Sequence, residues 1–256
     1  MAETGAFSNM WKNMAQALGL IVQYLPGDWR HGADPDAIYD HLATDTGHQI
    51  KAVAIVHNET STGVTSRLQE IRGAIDRANH PALFLVDTIS SLASMDFRMD
   101  EWSVDVAVGG SQKGLMLPPG MAFNAISEKA WQASQLNTEK RLYWDWKMFM
   151  PDGKIPGFLS TPPINMFFGL HEALLMLDEE GLEGVFQRHK RNATAVRAAI
   201  NHWGKSGALE LLSLDPQEHS NSISAVLFTE VCDVTNFRSV SVSYTHLRAH
   251  ETLRYL

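Results

Sequence analysis

PALFLVDTISSLASMDFRMDEWSVDVAVGGSQKGLMLPPG (residues 81–120) is the stretch on which the reading of the fold turns. It holds two apolar runs, residues 82–86 and 104–108, each too short for a helix and the second built on valine. The first leads into Asp87-Thr88-Ile89-Ser90, the second into Gly109-Gly110-Ser111-Gln112-Lys113. Apolar runs of this length fit strands covered on both faces of a parallel sheet. In such sheets the ligand crevice lies beyond the carboxyl ends of the strands. Asp87 and Lys113 are therefore expected on one sheet edge, facing one cavity. A carboxylate and a lysine so placed suit pyridoxal phosphate. The lysine forms the Schiff base, and the carboxylate keeps the pyridine nitrogen protonated so that the ring can take up electrons.

Toward the amino end, residues 66–78 put Leu68, Ile71, Ala74 and Ile75 on one face of a helix. Before it, residues 52–56 read as a buried strand followed by the polar loop His57-Asn58-Glu59-Thr60-Ser61-Thr62-Gly63. Asp34-Pro35 opens a helix that runs to about residue 42, with an acidic cap and a proline in its first turn. Residues 20–25 read as a strand and 26–29 as a turn. At the start, Phe7, Met10, Trp11, Met14, Ala15 and Leu18 have the spacing of an amphipathic helix, which Gly19 ends.

Toward the carboxyl end come a strand over 121–127 and a helix over 128–136. The aromatic cluster Tyr143-Trp144-Asp145-Trp146 reads first as core or interface, and a glycine- and proline-rich stretch, 151–163, follows it. Helices over 164–178 and 182–203 are split by Glu179-Glu180-Gly181, and a strand begins at 225–229. Strands alternating with helices give a parallel α/β sheet.

Composition narrows the class. Of 256 residues, 45% are hydrophobic and 20% charged, as in an ordinary soluble protein with one large domain, or one domain and part of a second. A net charge of −8, with no run of Lys and Arg, argues against a nucleic-acid surface. The single cysteine, Cys232, excludes an internal disulfide framework and fits a reducing compartment, so a cytoplasmic setting is expected. No apolar stretch approaches the roughly 18 residues that cross a bilayer, and residues 1–10 lack the apolar centre of a signal peptide, so no membrane role is expected. Asn58-Glu59-Thr60 and Asn192-Ala193-Thr194 match the glycosylation pattern by coincidence. His246 and His250 share a helical spacing, but without further ligands no metal site is expected.

Val86-Asp87-Thr88-Ile89-Ser90-Ser91-Leu92 and Gly110-Ser111-Gln112-Lys113-Gly114, with Pro118-Pro119-Gly120, resemble the class V aminotransferases, above all those that use glyoxylate with serine or alanine. The resemblance covers residues from about 3 to about 240. Gly5-x-Phe7, Pro26-Gly27-Asp28-Trp29 and the cluster at 143–146 are similar to the serine–glyoxylate members. It implies the fold of type I pyridoxal-phosphate-dependent transferases: a large domain with a mainly parallel sheet and a partial C-terminal small domain. Residues 1–180 would be an incomplete large domain, and 181–240 the linking helix and the start of the small one. Residues 241–256 resemble nothing in the family and read as a non-native tail.

The resemblance also implies roles. Lys113 would form the Schiff base and then shuttle the α-proton, and Asp87 would pair with the ring nitrogen. Thr60 would hydrogen-bond the cofactor, Gln112 would neighbour its phosphate, and Ile89 would pack on one ring face. Phe7 falls where an aromatic stacks on the other face, with packing in its own helix as the rival reading. His57 reads as a structural histidine before a ligand to the ring. Thr161-Pro162-Pro163 is similar to the segment that reaches the partner's cofactor in a homodimer. The family's phosphate-cradling loop would lie ahead of residue 3, and its substrate-gripping arginine beyond the end of the resemblance. The expected reaction moves an amino group from serine or alanine to glyoxylate. Two alternatives stand beside it. A cysteine desulfurase shares the fold, but it has His where Gln112 stands and needs a mobile nucleophilic cysteine. An inert truncated fragment with an incomplete cofactor cup is the other.

Overall fold

The computed structural model describes residues 1–139, 141–150 and 157–229. Cys232, His246, His250 and the tail over 241–256 lie outside the described residues, as does part of the glycine- and proline-rich stretch.

Helix α1 (Ala6–Ala17), capped by Gly5 at a φ of 158°, is the amphipathic helix expected there. Its apolar stripe is not its buried side, however. Met10 and Met14 are 61% and 62% exposed, whereas Ser8 is the buried residue. The strand expected over 20–25 does not form. Leu25 alone bridges Ala2, while Leu20 and Ile21 stand in solvent, the Leu20 amide donating back to the Ala15 carbonyl at 3.0 Å. Helix α2 (Pro35–Thr44) starts where expected, with the Asp34 side chain accepting from the Asp36 amide.

Strand β1 (Ala52–Val56) is followed at once by a minimal hairpin, β2 (Asn58–Glu59) and β3 (Val64–Thr65). Helix α3 (Leu68–Arg77) buries Leu68, Ile71, Ala74 and Ile75, the inner face its spacing implies. Strands β4 (Leu83–Asp87), β5 (Val106–Gly110) and β6 (Ala122–Ile126) complete a sheet of order β1-β4-β5-β6. The first three strands are parallel, and β6 runs antiparallel to β5. It reverses because the connection over 111–121 contains no crossover helix. The core lies between this sheet and the α2–α3 pair, where Ile71, Ile75, Phe84 and Val86 are wholly buried. Each such side chain contributes about 1.5–3 kcal/mol.

After α4 (Glu128–Gln135) and the short α5 (Trp146–Phe149) come two longer helices, α6 (Ile164–Glu180) and α7 (Leu182–Trp203). Gly181, at φ 72°, turns the chain between them in a conformation that favours glycine. A second core joins Ala173, Leu177 and Val185 to Ala93, Leu115 and Leu117, residues flanking the two motif loops. Strands β7 (Leu209–Leu211) and β8 (Val226–Phe228) pair antiparallel as a separate ribbon. Among the described residues no helix is long and apolar enough to cross a membrane.

Candidate active site

Asp87 ends β4, and the parallel register sets it beside Val56 of β1 and Val108 of β5. The ladder continues one step past it, with the His57 amide donating to the Asp87 carbonyl at 3.0 Å and the Thr88 amide to Val108 at 2.9 Å. The side chain is thus carried to the carboxyl edge of the sheet, where its Oδ1 accepts the Ile89 amide at 2.8 Å. Burial raises the carboxyl pKa from 3.8 to about 6; the Ile89 hydrogen bond opposes the rise, and the nearby charge of Glu59 adds to it.

Stability follows from that shift. Between those two values the folded chain keeps a proton that the unfolded chain has lost. Stability in the absence of a bound cation therefore falls as pH rises from about 4 to about 6, by on the order of 3 kcal/mol in all. Asp87→Asn should remove that loss. Its urea midpoint is expected to exceed that of the wild type at about pH 7 and to match it near pH 4; equal midpoints at both would mean an ordinary carboxyl.

Lys113 is held by a closed loop beyond β5. The Ser111 amide donates to Met121 and the Leu117 amide to Ser111, both at 3.0 Å. Ser111 Oγ donates to the Pro118 carbonyl at 2.8 Å and accepts the Met121 amide at 3.2 Å. Leu115 and Leu117 anchor the loop in the second core. Gly114 passes so near Leu92 that a Cβ there would lie 2.1 Å from its carbonyl oxygen. Lys113 is left partly buried at the edge where Asp87 ends.

The hairpin beyond β1 adds a polar wall. Asn58 Nδ2 donates to the Ser90 carbonyl and to Ser222 Oγ, both at 2.9 Å, which fixes the amide orientation. Its Oδ1 is then buried with no hydrogen-bond partner among the described residues. Thr60 Oγ1 and Ser90 Oγ share a hydrogen bond. His57 is buried and neutral, its pKa lowered by desolvation to about 4, and its Nδ1 pairs with Ser91 Oγ at 2.9 Å. It packs near Phe97 and Trp102 as a structural histidine.

Phe7, at the start of α1, closes the remaining side. The result is an open cavity of about 170 Å³ whose lining brings together Phe7, Thr60, Asp87, Ile89, Gln112 and Lys113. Val56, Asn58 and Ser90 complete it. Neither Asn58 nor Ser90 was singled out by sequence reasoning; the signal available was that each follows shortly after a strand ending at this edge. Thr161 is not in this lining but lies exposed just before α6. Among the described residues no group of three or more His, Cys, Asp or Glu is placed to hold a metal.

The donor set has a definite chemistry. A carboxyl raised by burial is relieved by a cationic ring nitrogen, and a lysine amine captures an aldehyde. The orphaned Asn58 oxygen calls for a donor such as a hydroxyl. Phe7 and Ile89 supply apolar walls.

Residues 1–236 match the family described as Aminotransferase class-V. The chain is 44% identical over 237 residues to a serine–glyoxylate aminotransferase of Methylorubrum extorquens, covering 91% of this chain and 58% of that protein. It is 43% identical over 232 residues to an L-aspartate–glyoxylate aminotransferase of Paracoccus denitrificans, again covering 91% of this chain and 58% of the other. Among solved structures, an alanine–glyoxylate aminotransferase from Nostoc sp. superposes with a TM-score of 0.82 at 26% identity, over 96% of this chain and 63% of that one.

Proposed function

The chain belongs to the class-V aminotransferase family, and from that premise we propose that the complete protein transfers an amino group from an amino acid, serine or alanine first, to glyoxylate. Its architecture is that of the type I pyridoxal-phosphate-dependent transferases. The observation that carries the proposal is the single cavity lined by Asp87 and Lys113 together with Phe7, Thr60, Ile89 and Gln112. The amino donor differs among the similar proteins, being serine in one, aspartate in another and alanine in a third, while glyoxylate recurs. The acceptor is therefore the firmer half of the assignment.

Pyridoxal phosphate, when bound, supplies an aldehyde and a ring that takes up the electrons of a broken C–H bond. The chain's own residues would do the rest. Lys113 Nζ would hold the aldehyde carbon covalently and, once displaced by the amino-acid substrate, accept the proton from its α-carbon and return it to the former aldehyde carbon, across the nitrogen. Asp87 would keep a proton on the ring nitrogen through a charge-assisted hydrogen bond. Thr60 and Asn58 would offer hydrogen bonds, and Phe7 and Ile89 would confine the ring. The first amides of α1 are already taken by Glu59 and Ser61, so the phosphate needs other donors, with Gln112 as its neighbour in this chain.

The assay is amino transfer to glyoxylate by the complete protein, with serine, alanine and aspartate compared as donors. Ping-pong kinetics are expected, and Cys232→Ser should leave the rate within about twofold because transfer needs no thiolate. Sulfur release from cysteine that vanished in this variant would move the assignment to the desulfurases.

A homodimer is part of the proposal. Leu142, Tyr143, Trp144 and Phe158, which precede Thr161 in the chain, are 67%, 65%, 73% and 58% exposed, apolar surface of the sort that partners cover. Mixed dimers of Lys113→Ala subunits with subunits disabled at Thr161 should regain activity, because one site per dimer would be intact. Verified mixed dimers with no recovery would exclude a shared site.

A further inference from the structure

Glu59 is 0% exposed, and yet it is an acid. Its Oε1 accepts the amides of Phe7 at 3.2 Å and Ser61 at 3.1 Å and the Ser61 hydroxyl at 2.7 Å, while Oε2 accepts the Ser8 amide at 3.0 Å. Ser61 Oγ in turn accepts the Ala6 amide at 2.8 Å. Ala6, Phe7 and Ser8 open α1, and their amides are those a helix leaves without internal partners. The positive end of the helix dipole meets the carboxylate. An external anion commonly sits at such a helix end; here the chain supplies its own. Room for it depends on Gly5, where a Cβ would fall 2.4 Å from Ser61 Oγ and 2.5 Å from Glu59 Cγ.

We propose that Glu59 is the positioning residue of the cavity: it pins the Phe7 backbone at the wall and supplies the negative field in which Asp87 holds a cation. Glu59 lies between Asn58 and Thr60, both cavity residues, so a single side chain ties the β2–β3 hairpin to the start of α1. Three groups bear on the charge of Asp87. Glu59 raises its pKa by Coulomb repulsion. Lys113 shares the cavity with it, and His57, next to it in the ladder, is neutral through burial. A cation placed against Asp87 is attracted by both carboxylates.

The proposal takes its consequence from the cofactor reading above, but the test needs no cofactor. Carboxyl ¹³C resonances of labelled Asp give the Asp87 midpoint, assigned by its loss in Asp87→Asn, and amide exchange reports the bonds at Phe7 and Ser8. In Glu59→Gln the Asp87 midpoint should move down from about 6, and the Phe7 and Ser8 amides should exchange faster. Ser61→Ala, which keeps the charge, should speed exchange at Ala6 and leave the Asp87 midpoint in place. An unmoved midpoint in Glu59→Gln, or an equal move in Ser61→Ala, would overturn the proposal. If Glu59→Gln does not fold, Glu59→Asp decides: faster exchange at Phe7 and Ser8 with the Asp87 midpoint still raised supports the role, and unchanged exchange removes it. Failure of the wild-type protein to take up pyridoxal phosphate would sink the cofactor reading alone.

Discussion

Replacing Lys113 with alanine is expected to abolish the covalent link that borohydride fixes between the complete protein and pyridoxal phosphate. Wild-type protein should turn yellow with the cofactor, lose the colour on reduction and carry the label on the peptide containing Lys113. The variant should carry none. Its fold should survive, because the loop is closed by Ser111 and anchored by Leu115 and Leu117. The informative control is Lys129. Its Nζ is bound to the Ala82 carbonyl at 2.9 Å and to Asp105 at 3.4 Å, at the amino edge of the sheet, away from the cavity. Label at Lys129, or at any lysine other than Lys113, would overturn the assignment.

Asp87→Ala should lower the transfer rate by roughly 10²–10³-fold, the scale for losing one preorganised charge at a reacting centre. Asp87→Asn should fall as far, because an amide cannot hold a proton on the ring nitrogen by charge. The same Asn substitution is expected to stabilise the cofactor-free protein above about pH 6, since it removes a carboxylate that burial disfavours. One substitution that raises stability while lowering the rate is the signature of a charge kept for function. A fall of less than about threefold in both variants would show that Asp87 does not support the chemistry.

Much of the frame was legible in the sequence because it depends on short-range patterns. Leu68, Ile71, Ala74 and Ile75 are buried as their spacing implies. Asp34-Pro35 opens its helix through local hydrogen-bond geometry. The family resemblance was carried by two motif loops with fixed order and spacing. Where periodicity misled, the deciding fact was a neighbour. The apolar residues over 20–25 have the composition of a strand, but among the described residues only Leu25 finds a bridging partner, Ala2, and the segment joins no sheet. The stripe of Met10, Met14 and Leu18 has the spacing of a core face, yet α1 is seated by its polar first turn.

The sequence by itself determined the α/β class, the family, and the arrival of Asp87 and Lys113 at one sheet edge, since strand direction and loop position follow from local pattern and from the rule that crevices form beyond parallel strands. Only the tertiary structure decided which polar groups meet there. Glu59 and Phe7 are 52 positions apart, Asn58 and Ser90 are 32, and Asn58 and Ser222 are 164. Contacts of that separation leave no periodic trace, because each is one side chain meeting one distant group after the sheet has brought the loops together. Tertiary structure likewise made Asp87 a weak acid, through burial and the charge of Glu59. Acidity of that kind belongs to surroundings, and the surroundings exist only once the chain is folded.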